Sequence, residues 1–409
     1  MPGACSCRAF SFGGGSMDVL VVNAGSSSLK YQLLNVESRE VLAKGACERI
    51  GLGESTFTSE FAGRETCLSL PIPNHRTAIT LVLGTVLQNT ALMEGHHIDA
   101  FGHRIVHGGT YFDDSCLVDD DVLKKIEEIA PLAPLHNYAA ASVIVACREV
   151  LPDVPNVVSF DTSFHATIPE VAYRYPLPDE LCDKFKLRKY GFHGINHRYV
   201  SRTANEFLGG DAGKLVSCHL GNGSSLCAVR NGHVIDTTMG FTPLDGLIMG
   251  TRCGSIDPAA VTFILENSDL TAREVDTIMN KKSGLLAITG FTNDIRDITE
   301  AAEAGNDRAQ LALDMFCYSA KKYLGAMIAA MGGVDTVVFT AGAGQNSPVI
   351  RSKVVEGLEG LGIAVDPELN AQRHKTPWRI SPEGAGVNVL VIPADEEYMI
   401  ALDVKRILG

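Results

Sequence analysis

The sequence predicts an α/β protein made of two duplicated domains, and three observations lead there. The chain has 409 residues, more than one compact core holds, since single cores rarely grow past roughly 250 to 300 residues. Short β-branched runs alternate along it with stretches of helical periodicity. A strand running into a Gly-Ser-Ser tip occurs twice, at Gly25-Ser26-Ser27 and at Gly223-Ser224-Ser225, with Asn23 and Asn222 just upstream. Each copy opens a similar series of strands and helices, so duplication is the better reading of the repeat.

Residues 18–22 (DVLVV) read as a buried strand, NAGSS as a turn, and Ser28 to Leu34 as the return strand of a hairpin. Strands follow at Val41 to Cys47 and Thr56 to Ser59, then a helix over Ala78–Met93, where apolar spacing turns helical. AFGHRIVHG, helices at Asp120–Ile129 and Ala139–Val150, and the strand Asn156–Phe160 complete the first series. In the second, Leu215–Leu220 and Leu226–Val229 flank the tip Gly221–Ser225. Helices are expected at Pro258–Glu266, Thr271–Asn280, Ala309–Met331 and Val349–Leu361, the second opening on the capping-box pair Thr271 and Glu274. The strand Thr336–Thr340 enters a Gly-rich turn, AGAGQNS, and Val387–Ile392 runs into PADEE and a closing helix. The divisions are residues 1–16, a disordered extension or presequence remnant; 17–161 with 398–409; and 162–397.

Composition narrows the class. Acidic residues outnumber basic ones 48 to 35, for a net charge of −13, which repels nucleic acid and anionic membranes and leaves any anionic substrate to local cations. The 11 cysteines are scattered and lack CxxC pairs, which argues for a reducing intracellular compartment and against a structural zinc site. No apolar run reaches the 18 or so residues of a membrane span. A soluble cytoplasmic protein is expected, mitochondrial or plastid if residues 1–16 belong to a presequence.

Several residues point to chemistry. The two Gly-Ser tips, with Lys30 just after the first, favour a phosphate clamp over plain hairpin turns, although no GxxxxGK[ST] occurs. AGAGQNS has strand-turn-helix placement, which suits a nucleotide or an ordinary βα loop alike. Arg104 in GHRIVHGG and Arg252 in MGTRCGS lie beside glycines, where a guanidinium fork can hold a carboxylate or phosphoryl group. His193 in KYGFHG is the best histidine for a reacting phosphoryl group. Asp161 ends a strand, where α/β folds place ligands. Glu396 and Glu397 open the last helix, as dipole partners or as carboxylates for Mg²⁺.

Nine segments occur in one order: VNAGSSSLK at 22–30, GHRIVHGG at 102–109, LAPLHN at 132–137, FDTSFHATIP at 160–169, YGFHG at 190–194, HLGNGSS at 219–225, MGFTPLDGLIMGTRCGSIDP at 239–258, NDIRD at 293–297 and TAGAGQNS at 340–347. Together they closely resemble the acetate kinase family, from about Met17 to the end. The resemblance implies two ribonuclease-H-like domains of the actin and sugar-kinase type around a nucleotide cleft, and a homodimer. It implies reversible in-line transfer of the ATP γ-phosphoryl group to acetate, with ATP or ADP as co-substrate and Mg²⁺, or Mn²⁺ in its place, as cofactor.

By motif match, Arg104 and Arg252 would bind acetate and the phosphoryl group, His193 would donate to it, and Asn222 would contact phosphate. Asp161 would orient Arg104 or join the metal shell, and Asn23 with Glu396 would position Mg²⁺. Val106, Leu135, Phe192 and Pro243 match the pocket for the acetate methyl. Ser26, Ser28, Lys30, His219, Leu220, Gly221 and Gly223 would surround phosphate, with Asp294, Ile295, Arg296, Gly342, Ala343, Gly344, Gln345 and Asn346 at the nucleotide. Ile295 and Gln345 depart from the family's NDFRD and GIGEN, removing an aromatic face and a carboxylate near the donor. The alternatives are a propionate or butyrate kinase and a nucleotide-binding module without transfer; the paired arginines disfavour the module.

Overall fold

The computed structural model describes residues 16–91, 95–134 and 136–409. Leu135 and the Leu92–Met93 end of the expected first helix lie outside them, as does the extension except for Ser16. The chain forms two compact units: one runs to Ser163 and resumes at Asp395–Gly409, and the other is Phe164–Ala394.

The first unit carries eight strands: β1 (Asp18–Ala24), β2 (Ser28–Asn35), β3 (Val41–Glu48), β4 (Glu54–Phe61), β5 (Arg64–Pro71), β6 (Ala100–Ile105), β7 (Cys116–Leu117) and β8 (Asn156–Phe160). They form one sheet in the order β5-β4-β3-β2-β1-β6-β8-β7. β1 to β5 pair antiparallel, β1, β6 and β8 run parallel, and β7 closes the edge antiparallel. β8 is buried along its whole length and β1 nearly so, because helices cover the parallel strands on both faces. Leu20, Val22 and Phe101 pack with helices His75–Thr90 and Asn137–Val150. The alternate residues Val19 and Gly102 face helix Glu396–Leu408, where a Cβ on Gly102 would stand 2.6 Å from Ile400 Cγ2.

The second unit repeats this topology. Its strands are β9 (Lys214–Leu220), β10 (Ser224–Arg230), β11 (His233–Thr237), β12 (Thr336–Thr340), β13 (Trp378–Arg379) and β14 (Asn388–Val391), in the order β11-β10-β9-β12-β14-β13. β9 to β11 pair antiparallel, β9, β12 and β14 run parallel, and β13 closes the edge antiparallel. Each pairing of β3-β2-β1-β6-β8-β7 therefore recurs, but the tip that corresponds to Gly25-Ser26-Ser27 is Gly221-Asn222-Gly223, since Ser224 and Ser225 already pair on β10 with Leu220 and His219. Helix Asp307–Met331 lies along β9, β10 and β11 and supplies Leu313, Phe316 and Leu324 to the core.

Several expected elements shift. The first helix begins at its cap Asn74 and spans His75–Thr90, and β4 with its exposed partner β5 extends beyond the short strand foreseen. AGAGQNS is a short helix, Ala341–Asn346, in place of a turn. The helix expected over Val349–Leu361 stops at Val355, because Gly357 takes left-handed backbone (φ 77) and a 3₁₀ turn follows at Glu359–Leu361. The Thr271–Glu274 capping box is present in both directions. No helix of the described residues is long and apolar enough to cross a membrane.

Candidate active site

In the first unit, strand register assembles the site. Asn23 on β1 stands opposite Lys30 on β2 and Arg104 on β6, and Arg104 stands opposite Ser159 on β8, two residues before Asp161. These side chains thus share one level at the C-terminal ends of three parallel strands, the usual ligand edge of an α/β sheet. Arg104 donates from Nε to Asp161 Oδ1 at 3.1 Å and from Nη2 to Oδ2 at 2.6 Å, a bidentate fork on a carboxylate only 2% exposed. Its Nη1 points to Asn23 Oδ1 at 3.4 Å, and Glu396 Oε2 lies 3.8 Å from Nε.

The electrostatics follow. Burial opposes the Arg104 charge, but Asp161 and then Glu396 hold the guanidinium protonated, above its usual range. Burial pushes the Glu396 carboxyl up, to about 7, with Asp161 and Glu397 adding to the rise and Arg104 and Lys30 opposing it. Ser28 closes the β1–β2 tip by accepting from Gly25 N–H at 2.8 Å, and Ser26 is exposed at the turn. Val106, half-buried, follows β6.

In the second unit, His193 caps helix Gly194–Phe207 in left-handed backbone, φ 59. Its Nδ1 lies 2.9 Å from Ser225 Oγ, and its ring stacks on His219 with centroids 4.0 Å apart. A Cβ on Gly223 would stand 3.3 Å from His193 Nε2 and 3.4 Å from Arg252 Nη1, so the β9–β10 tip comes this close to both groups only because position 223 is glycine. Arg252 donates to Pro243 C=O at 3.3 Å, and its only other side-chain contact of this kind among the described residues is Met249 Sδ at 3.6 Å. No carboxylate among the described residues pairs with it, and burial lowers its pKa. A half-buried cation with no matched charge is costly to hold out of water. Phe192 is buried beside His193.

Beside this tip lies an open cavity of about 810 Å³. Gly221 and Asn222, Asp294 to Arg296, and Gly342, Ala343 and Asn346 line it, all foreseen; Gly344 and Gln345 do not. The Gly344 and Gln345 carbonyls instead accept from the buried Arg351 at 3.0 and 2.7 Å. Asn222 is fixed from two sides, its C=O by Gly250 N–H at 2.9 Å and its Oδ1 by Asn293 Nδ2 at 2.8 Å. A Cβ on Gly250 would fall 1.9 Å from that Oδ1, so only glycine fits. Arg296 forks onto Asp294 and lowers its pKa to about 2. His219, Leu220 and Gly221 lead into the tip along β9.

Sequence reasoning missed Ser225, Asn293, Thr299, Glu300, Val349 and Arg373 around these groups. Asn293 and Ser225 sat inside quoted motifs. Arg373 carries no sequence signal, since a loop far along the chain brings it to the cavity.

Comparison of the whole chain with known proteins gives its family. Residues 18–402 match the Acetokinase family. An acetate kinase of Caldanaerobacter subterraneus subsp. tengcongensis is 53% identical over 398 residues, 96% of this chain and 99% of that one. The crystal structure of Porphyromonas gingivalis acetate kinase superposes with a TM-score of 0.92 at 43% identity, covering 96% of this chain and all of that one. A propionate kinase from Francisella tularensis follows at 0.89 and 36%, with 96% and 100% covered. With its duplicated sheets and these relatives along nearly all its length, the chain belongs to the acetokinase family of phosphotransferases that take a carboxyl group as acceptor.

Proposed function

We propose that this protein is a magnesium-dependent acetate kinase that transfers the γ-phosphoryl group of ATP to acetate, reversibly, giving acetyl phosphate and ADP. The observation that carries the reading is the contrast between two arginines. Arg104 has its charge matched by Asp161, whereas Arg252 has no carboxylate partner among the described residues and stands with His193 over Gly223. One is an oriented donor fork; the other is a cation lacking its anion.

The roles follow from the donors. Asp161 takes two N–H groups of Arg104 and Asn23 a third, which leaves two of the five for a carboxylate or phosphoryl oxygen. Arg252 neutralises charge on the phosphoryl group, and His193 donates from Nε2 while Ser225 holds Nδ1. Asn222 and Gly221 join the tip to the nucleotide cavity, so the donor's phosphates would run along this backbone. Phosphoryl transfer asks the protein for positioning and charge stabilisation more than for covalent chemistry. Val106 in the first unit and Phe192 and Pro243 in the second match the family's residues for the acetate methyl, as does Leu135, outside the described residues.

A divalent cation fits the donor set of the first unit. Asp161, Glu396 and Glu397 outnumber Arg104 and Lys30, and the Glu396 carboxyl, raised first by burial and then by Asp161 and Glu397, is one whose charged form a cation would favour. Mg²⁺ takes hard oxygen donors, often one or two from the protein with water and phosphate completing the octahedron. Asn23 and Glu396 would hold it, and the ion would neutralise charge on the transferred phosphate.

The protein would act as a homodimer. Helix Pro258–Glu266 buries none of its residues, and Phe263 on it is 66% exposed beside exposed Ile256 and Ile264. A patch of this kind suits a second copy of the chain. Light scattering should report a dimer, and Phe263→Asp should weaken it. The activity is tested by trapping acetyl phosphate as its hydroxamate with ATP, Mg²⁺ and a panel of acids; absence of product with acetate overturns the proposal. One methylene in an apolar pocket changes discrimination by only about 1 to 3 kcal/mol, so propionate should be a weaker substrate, and a kcat/KM favouring butyrate would contradict the placing of Val106.

A further inference from the structure

Arg351, on helix Pro348–Val355, is the largest fully buried side chain of the protein. It has no carboxylate partner among the described residues. Its guanidinium instead donates to four oxygens: Nε to Asn370 Oδ1 at 2.7 Å, Nη2 to Asn370 C=O at 2.5 Å, and Nη1 to the carbonyls of Gly344 and Gln345 at 3.0 and 2.7 Å. Asn370 in turn donates from Nδ2 to Pro348 C=O at 3.0 Å and to Ser352 Oγ at 2.9 Å. Between those anchor points lie Asn346, Ser347 and Pro348, which form part of the cavity wall. Arg351 grips the wall just before this segment, and Asn370 grips it at the end.

A buried cation without an anion is costly, and apolar packing would fill the same space more cheaply. Its retention is explained if the wall must be held in one place. We propose that Arg351, with Asn370, is a positioning residue for the nucleotide: it touches no substrate but fixes the 342–348 wall against which the phosphoryl donor binds. The inference rests on the acetate kinase reading, in which this cavity takes ATP. It also explains how a chain with Gln345 where the family has a carboxylate keeps its nucleotide wall, because Gln345 contributes a backbone carbonyl here. Arg373, which lines the cavity, also bears on Arg351: after burial, its charge is the second cause of the fall of the Arg351 pKa to about 10.

The test is steady-state kinetics on the full chain with KM measured separately for ATP and acetate. Arg351→Lys keeps the charge but has no fork to span both carbonyls and Asn370. Its KM for ATP should rise about ten-fold, with KM for acetate within two-fold of wild type. A merely structural role would lower the active fraction, and so kcat per milligram, while leaving both KM values alone. Asn370→Asp guards against a variant that fails to fold. It keeps the side-chain shape and the acceptor for Arg351 Nε but loses the Nδ2 bonds to Pro348 C=O and Ser352 Oγ, which releases the wall at its Pro348 end. KM for ATP should rise about three-fold in the folded protein, with KM for acetate within two-fold of wild type. An unchanged ratio of the two KM values in Asn370→Asp and in any folded Arg351→Lys overturns the inference. A wild-type chain with no transfer overturns the kinase reading instead.

Discussion

Gly223→Ala isolates the β9–β10 tip from everything else that glycine does. Position 223 lies outside the left-handed region, so alanine is compatible with the backbone. Alanine restricts the unfolded chain and should leave stability level or raise it by about 0.4 to 1 kcal/mol. The new methyl carbon would stand 3.3 Å from His193 Nε2 and 3.4 Å from Arg252 Nη1. A phosphoryl oxygen accepting from either nitrogen needs a site roughly 2.9 Å away on the same side, so methyl and oxygen compete for one space. Both donors would have to give by a few tenths of an ångström, or one hydrogen bond to the transferring group would be lost. Removing one preorganised donor of this sort costs about 10² to 10³ in rate, near 2.7 to 4 kcal/mol. Acetyl phosphate formation followed as hydroxamate should therefore show kcat down about 10²-fold, with the thermal midpoint unchanged or higher. Wild-type kcat in Gly223→Ala would refute the convergence of His193 and Arg252 on a reacting group.

Arg252→Leu should lower kcat by orders of magnitude without loss of stability in urea titrations, because the guanidinium it removes is buried against a carbonyl and a thioether; activity within a few-fold of wild type contradicts its role. His103 is 2% exposed, and burial lowers its folded pKa to about 4 from an unfolded value near 6.5, so the folded state binds the proton less well. That stability is present above pH 6.5 and is lost as pH falls toward 4. At pH 4.5 the wild type should have given up about 2.5 kcal/mol that His103→Gln does not, as read from urea unfolding at pH 7 and 4.5; equal losses would refute the assignment. Gly84 is exposed within helix His75–Thr90 with nothing within 4 Å of an added Cβ. Gly84→Ala should raise stability by about 1 kcal/mol with activity unchanged, and a fall in the thermal midpoint would count against it.

The buried parallel strands were legible because their apolar runs are short, β-branched and bounded by turn residues: Asn156–Phe160 and Thr336–Thr340 match their expected limits residue for residue. The repeat was legible only as three residues, yet the topology extends it to six strands per copy, since pairing order survives where side chains diverge. β5 was missed because nearly all its residues are exposed, which leaves no alternation to read. The helix at Gly194–Phe207 was hidden by its cap, a left-handed His193 in place of a Ser or Asp. AGAGQNS reads as a loop because three of its residues are poor helix formers or break the apolar period, while the bond from Asn346 Nδ2 to Gly342 C=O and the Arg351 grip make it a helical turn. Tertiary partners settled it, and no local window contains them. The same holds for Asn293, which reaches Asn222 across the fold.

The net charge of −13 and the anionic substrates are reconciled by how each arginine is embedded. Arg104 sits in a carboxylate cluster, so its fork is oriented while its charge is spent on Asp161. Arg351 keeps its charge but satisfies four donors on three carbonyls and an amide oxygen, so it holds structure. Arg252 keeps its charge and satisfies almost none of its donors, with one carbonyl at 3.3 Å and a sulfur at 3.6 Å. Desolvation without compensation is stable only at a cost, and the one event that removes the cost is arrival of an anion with several acceptor oxygens. A transferring phosphoryl group brings three equatorial oxygens and spreads its charge over them. On the proposed function, Arg252, whose donors are the least satisfied of the three among the described residues, would bind that group more tightly in the transition state than in the ground state, which is the condition for raising kcat.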